Sequence, residues 1–171
     1  MALSYSKEYD EKLYNLINRD EEYFKQIINI EREKENPRKD YEKFSAVYDF
    51  ISFFYNDLYD QYVKENGLTY NEKFDLETIK SVLNELKNLD ISLDEQGWFS
   101  NMKAIGEKCG FSSDRKAYKA NPEAFKGMTG DVAEMLRITL TTKKNSPNLY
   151  YVMKILGLEE CHRRINQVLT K

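Results

Sequence analysis

Histidine is nearly absent from this 171-residue chain: His162 is the only one. Metal centres built on histidine, and acid–base schemes that need several of them, are thereby excluded. Two cysteines, Cys109 and Cys161, are too few for a disulfide framework and lack metal-ligand spacing, so a reduced, cytoplasmic setting is the expectation. With seven glycines and three prolines, the chain contains neither a GxxxxGKS/T phosphate loop nor a GxGxxG turn. No run approaches the ~18 apolar residues needed to cross a bilayer. The opening MALSYSKEYDEKLY lacks an apolar segment of the signal-peptide type. A membrane partner is not expected, and the chain is poorly equipped to be an enzyme on its own.

What is present is helix. The sequence is 41% apolar and 32% charged, the balance of a globular chain of one ordinary domain or two small ones. Apolar residues recur at three- and four-residue spacing: Tyr9, Leu13, Leu16, Ile17; Phe24, Ile27, Ile28; Leu76, Ile79, Val82, Leu83, Leu86. This is the stripe of helices packed on one face. Alternating strand patterns are almost lacking, and the β-branched run 137–142 follows a helical stripe at Val132, Met135 and Leu136, so it reads mostly as a helix end. The fold class is therefore all-α.

Capping signals divide the chain. Ser6 is a candidate cap for a first helix to about Asn18. Asp20, followed by Glu21 and Glu22, opens a second that runs into the charged stretch 31–35 and breaks at Asn36-Pro37. A third helical region covers about 41–65 and stops at Asn66-Gly67. Asp75 opens the next helix, ending near Asn88. Ser92 and Glu95 have the spacing of a capping box, and Gly110 ends the helix they start. Asn121-Pro122 and Ser146-Pro147 each place a capping side chain before a proline. Gly157 stops the penultimate helix, and a last one spans 158–169. Six of the seven glycines lie after residue 96. Residues 1–100 carry 13 basic and 22 acidic side chains, whereas 101–171 carry 13 and 7. Two packed helical subdomains are expected, 1–90 and 91–171, the second made of short helices and tight turns. Its basic balance suits an anionic partner, or is only a solvated face.

Most conspicuous constellations have plain explanations. The aromatic run Ala46–Val63 could stack bases, but its interleaved Asp49, Asp57 and Asp60 would repel phosphate, and aromatic helix faces usually form core. Arg163 and Arg164 either contact phosphate or pair with Glu159 and Glu160 on the last helix; pairing is preferred. Two places are more specific. Asn36-Pro37-Arg38-Lys39-Asp40 holds two cations at a helix junction, and an arginine fork reads base edges or clamps phosphates; pairing with Glu33, Glu35 or Glu42 is the plain alternative. In the segment 136–150 a helix ends, a basic loop with Lys143 and Lys144 follows, and a new helix begins at Ser146-Pro147, with Arg137 nearby. A helix start offers unpaired N–H groups to anionic or acceptor groups; an ordinary connection with solvated lysines is the alternative.

LRITLTTKKNSPNLYYVMKILGLEECHRRI resembles the C-terminal end of bacterial glutamyl-tRNA synthetases. There a leucine–arginine helix end, a TG-type turn, a polar loop, a Ser/Thr-Pro helix start and an LLG-x-E stop occur in this order. DRKAYKANPEAFKGMTGDVAEM resembles the stretch just upstream in that family, and NPRKDYEKFSAV the opening of its first anticodon-binding subdomain. The resemblance covers about residues 4–170 and implies an all-helical anticodon-binding region. It further implies a C-terminal fragment whose Rossmann catalytic half, with its HIGH and KMSKS signatures, is missing. ATP and Mg would belong to that half, leaving no catalytic residue, metal or cofactor in this chain. The implied partners are the anticodon loop of glutamate tRNA and the missing catalytic domain, not DNA. By the resemblance, Arg137 contacts the anticodon loop, Ser146, Pro147 and Leu149 form the helix start that reads the first two anticodon bases, and Arg38 reads the third. Lys39, Lys143 and Lys144 would neutralise neighbouring phosphates. Thr142 replaces the glycine usual in that turn. A helical protein–protein interaction module, derived from the family without RNA binding, is the other function class.

Overall fold

In the computed structural model the backbone of residues 2–32 and 44–171 is described, with side chains for 11–32 and 46–171. Ten α-helices occupy the described residues, with two strands of two residues each and two short 3-10 turns. This is the all-α architecture expected from the periodicity. The chain divides into two units, Met1–Glu65 and Asn66–Lys171.

The first unit contains α1 (Ala2–Arg19), α2 (Glu21–Ile28), α3 (Phe44–Ile51), a 3-10 turn (Ser52–Phe54) and most of α4 (Asn56–Asn66). Ser6 lies inside α1 and does not open it. Asp20 caps α2 as expected, accepting the Tyr23 N–H at 2.9 Å. This helix ends at Ile28, before the charged stretch. The aromatic run is chiefly core: Ile51, Phe53, Phe54, Tyr55 and Tyr59 are buried. The Tyr23 hydroxyl donates to the Phe54 carbonyl at 2.8 Å, and Arg19 reaches both carboxylate oxygens of Asp57 at 2.9 and 3.0 Å.

The second unit begins at Asn66, ahead of the boundary at residues 90–91 that composition suggests. The reason lies in packing. Helix α5 (Leu76–Leu86) sends Ile79, Val82, Leu83 and Leu86 into one core with α6 (Glu95–Lys108), α8 (Thr129–Thr141), α9 (Leu149–Leu156) and α10 (Leu158–Leu169). Trp98 and Met102 of α6, Leu136 and Leu140 of α8, Met153 of α9 and Cys161 and Ile165 of α10 fill its centre. Sidedness in charge marks solvated surface, whereas the domain boundary follows the apolar stripes, and the stripe of α5 points into this core.

Between α6 and α8 the chain makes β1 (Phe111–Ser112), the short α7 (Arg115–Ala120), a 3-10 turn (Pro122–Ala124) and β2 (Gly127–Met128). The two strands pair in parallel, Phe111 opposite Gly127. Glycine is required there: a Cβ on Gly127 would stand 2.5 Å from an Asp131 oxygen and 3.1 Å from the Phe74 ring. Asp75 caps α5 through the Thr78 N–H at 2.7 Å. Asp94, not Ser92, caps α6; the Ser92 hydroxyl donates to Asp90 instead. The 3-10 turn has Pro122 in its first turn, but no side-chain hydrogen bond from Asn121 caps it. Gly157, at φ 81°, separates α9 from α10, as the sequence indicates.

Arg163 and Arg164 both pair with Glu160, at 2.6 and 2.8 Å. Arg164 is wholly buried and also donates to the Leu140 carbonyl at 2.6 Å. Burial opposes ionisation of the Glu160 carboxyl, but hydrogen bonds from Arg163 and Arg164 and their charges outweigh it and hold the carboxyl below its ordinary range. A depressed folded-state value means stability that is present above the unfolded carboxyl value of about 4.5 and lost as pH falls through the lower folded value. Glu160→Ala leaves a buried arginine without its carboxylate and should cost about 3 kcal/mol at pH 7. In urea unfolding, the gap between this variant and the parent should narrow as pH drops below that range. A gap that is constant with pH would show that the carboxylate contributes nothing through its charge.

Candidate nucleic-acid interface

The segment joining α8 to α9 is built from its ends inward. The β-branched run at the end of α8 stays helical because its threonines bond back along the helix. Thr139 Oγ1 donates to the Met135 carbonyl at 2.7 Å and Thr141 Oγ1 to that of Arg137 at 2.7 Å. Thr139 also shares a 2.8 Å hydrogen bond with the Tyr70 hydroxyl. Helix α8 then closes on Thr142, whose N–H donates to the Ile138 carbonyl at 2.8 Å with φ 67° and ψ 1°. That is left-handed backbone, rarely adopted by a β-branched residue. The Lys143 N–H donates to Thr141 Oγ1 at 3.2 Å, which tucks the loop under the helix end.

On the other side, Asn148 starts α9 by accepting the Tyr150 N–H on its side-chain oxygen at 3.0 Å. The sequence assigned this duty to Ser146. Asn148 is itself held: its amide donates to Glu95 at 2.6 Å, and the Tyr151 hydroxyl donates to the other Glu95 oxygen at 3.1 Å. The Tyr150 hydroxyl adds a bond to the Leu93 carbonyl at 2.9 Å. The start of α9 is thus pinned to the start of α6.

Arg137 spans the loop. One of its terminal nitrogens lies 2.5 Å from Ser146 Oγ, 3.3 Å from the Ser146 carbonyl oxygen and 3.1 Å from that of Pro147. The Ser146 hydroxyl in turn donates to the Pro147 carbonyl at 2.8 Å. Of the expected site residues, five therefore come together here with Lys144: Arg137, Lys143, Ser146, Pro147 and Leu149. Their exposures differ. Lys144 is exposed and Lys143 and Arg137 are half-buried. Ser146 and Pro147 are buried, and Leu149, at 2% exposure, is in the core rather than on a surface where a base plane could lie. Arg38 and Lys39 lie outside the described residues. Reasoning from sequence missed Asn148 as the cap of α9 and gave Glu95 to a capping box with Ser92 rather than to Asn148 and Tyr151. Asn148 alone carried a legible signal, because asparagine is among the strongest N-caps.

The Cys161 thiol is buried, and burial pushes it up to about 12. Among the described residues, no group of three or more His, Cys, Asp or Glu side chains is placed to hold a metal ion, and no helix is long and apolar enough to cross a membrane.

Residues 113–169, which include the whole α8–α9 connection, match the protein family described as an anticodon binding domain. The glutamate–tRNA ligase of Clostridium perfringens strain 13 is 36% identical over 163 residues, which cover 95% of this chain and 30% of that protein. The chain is similar to the C-terminal, anticodon-binding part of glutamate–tRNA ligases. The glutamate–tRNA ligase of Clostridium beijerinckii is 34% identical over 97% of the chain, and that of Sorangium cellulosum 32% over 98%. The chain spans about 30% of the length of these glutamate–tRNA ligases. The resemblance read from the LRITLTTKKNSPNLYYVMKILG segment is thereby borne out.

Thr142 tests the loop's construction. A left-handed conformation costs a non-glycine residue roughly 1–2 kcal/mol, and glycine gives back part of that through its freer unfolded chain. Thr142→Gly should raise stability by about 0.5–1 kcal/mol in chemical unfolding. A loss of stability would mean that the threonine side chain contributes more than its backbone strain costs.

Proposed function

We propose that this chain recognises the anticodon loop of glutamate tRNA through the α8–α9 connection, serving glutamyl-tRNA formation in the cytoplasm. The observation that carries the reading is the bridged loop itself. Arg137 ties Ser146 and Pro147 to the end of α8 while Lys143 and Lys144 remain at the rim, Lys144 exposed and Lys143 half-buried. The similarity to glutamate–tRNA ligases supplies the choice of RNA.

In this reading the buried residues shape the site and the outer ones touch RNA. Ser146, Pro147 and Leu149 set the backbone at the start of α9 and act from below. Lys143 and Lys144 meet the phosphates flanking the anticodon, and Arg137 keeps its positive charge beneath the loop while bracing it. Single-stranded loops are read through splayed bases contacted at their edges, so a rigid backbone at that point gives selectivity that charge alone lacks. Arg38 contributes to reading the third anticodon base. Activation of glutamate with ATP and Mg falls to the catalytic part of the longer ligases, and none of it is assigned to these residues.

Direct binding tests the reading. Glutamate tRNA should bind in preference to an unrelated tRNA, and more weakly as salt rises. Lys143→Ala with Lys144→Ala should weaken binding of glutamate tRNA and lower the magnitude of the salt slope by about 2. Equal affinity for every RNA would overturn anticodon recognition, and failure to bind any RNA would return the chain to the protein-interaction class. Arg38→Gln should narrow the preference for glutamate over glutamine anticodons, since a bidentate base contact carries about 1–3 kcal/mol of discrimination. An unchanged ratio would remove Arg38 from the site.

A further inference from the structure

The basic character of the C-terminal half is not concentrated at the α8–α9 connection. Lys143 and Lys144 account for two of its 13 basic residues, and four others lie within the excursion between α6 and α8: Arg115, Lys116, Lys119 and Lys126. All four are exposed, and none forms an ion pair among the described residues. Arg115 and Lys119 are one turn apart on α7, hence neighbours on one face.

Two of the local carboxylates are turned to other work, while Glu123 is exposed and Asp75 feels the charge of Lys126. Asp114 accepts the Lys116 and Ala117 N–H groups at the start of α7. Asp131 accepts the Met128 N–H at 2.7 Å and lies 3.9 Å from Lys73. The cations themselves are exposed. Lys126 follows the 3-10 turn, with its N–H on the Gly110 carbonyl at 2.9 Å and its stem running past Gly110.

Aromatic rings are interleaved with these charges. Lys73 donates to the Tyr118 hydroxyl at 3.2 Å and stands over the rings of both Phe74 and Tyr118, at 5.2 and 5.6 Å. The Tyr118 ring packs on Phe125 with centroids 6.3 Å apart. Arg115, Lys116, Lys119 and Lys126 thus form an exposed positive surface beside a packed aromatic pair. Such a surface complements closely spaced phosphates better than scattered carboxylates on a protein partner.

We propose that α7 and the turn after it form a second RNA contact, in which Arg115, Lys116, Lys119 and Lys126 bind backbone phosphates of the tRNA outside the anticodon loop. The proposal rests on the RNA reading above and extends it. Its contacts are to phosphate, so they add affinity and orientation for any tRNA, while discrimination stays with the α8–α9 loop.

The experiment measures binding of glutamate tRNA and of an unrelated tRNA across about 50–200 mM salt, for the parent chain and for Lys116→Glu with Lys119→Glu. Both residues are exposed, and a thermal melt of the variant confirms that it folds. The variant should bind both tRNAs about tenfold more weakly and lower the magnitude of the salt slope by about 2, with the preference between the two RNAs unchanged. If the parent prefers glutamate tRNA and the reversal changes neither affinity nor slope, the α7 contact is wrong and the anticodon reading stands. If the parent shows no preference yet the reversal weakens both RNAs, the anticodon reading falls and the α7 contact stands. Failure of the parent to bind either RNA overturns both.

Discussion

The wholly buried guanidinium of Arg164 is the tie on which the second unit's ends depend. It joins α10 to the last turn of α8 by taking up the Leu140 carbonyl, one of the acceptors that a helix end leaves without an intrahelical donor. Burying such a cation is costly unless its hydrogen bonds are made and its charge is met. Glu160 meets it one turn earlier on the same helix, while Arg163 holds the carboxylate from the other side. Two residues past Leu140, the backbone turns left-handed at Thr142. A strained residue persists only where its surroundings over-determine it. Here the surroundings are the Arg164 anchor, the Thr141 back-bond and the Arg137 bridge.

The same segment shows how a loop is tied down without glycine. Each end is tied to something distant in sequence: α8 to α10 through Arg164, α9 to α6 through Asn148 and Glu95. Arg137 then ties the two ends to each other. The loop between carries its cations at the edge of this frame. Ser146, Pro147 and Leu149, by contrast, are buried beneath it.

Much of this was legible in the residues themselves. Apolar stripes at helical spacing, Asp20 and Asp75 as caps, Gly157 as a stop and the 158–169 helix depend on contacts within a few residues, and local chemistry decides them. The pairing of Arg163 and Arg164 with Glu160 is of the same kind, being a matter of three- and four-residue spacing. So is the meeting of Arg137 with Ser146 and Pro147, which lie nine and ten residues on. Family resemblance added the anticodon-binding assignment on those same residues.

Other features needed the tertiary structure. Asp94 displaces Ser92 as a cap because Ser92 turns back to Asp90, and Asn148 displaces Ser146 because Ser146 bonds to Arg137. In each case a sequence offers several capable side chains, and the hydrogen bonds that each one finds in the folded chain choose among them. The unit boundary moved to Asn66 because α5 buries its stripe against helices that are far along the chain. By itself the sequence determined that helices form, about where they end, and which of their faces are apolar. Only the tertiary structure decided which polar groups are buried and satisfied and which cations stay outside, because that depends on what each face meets.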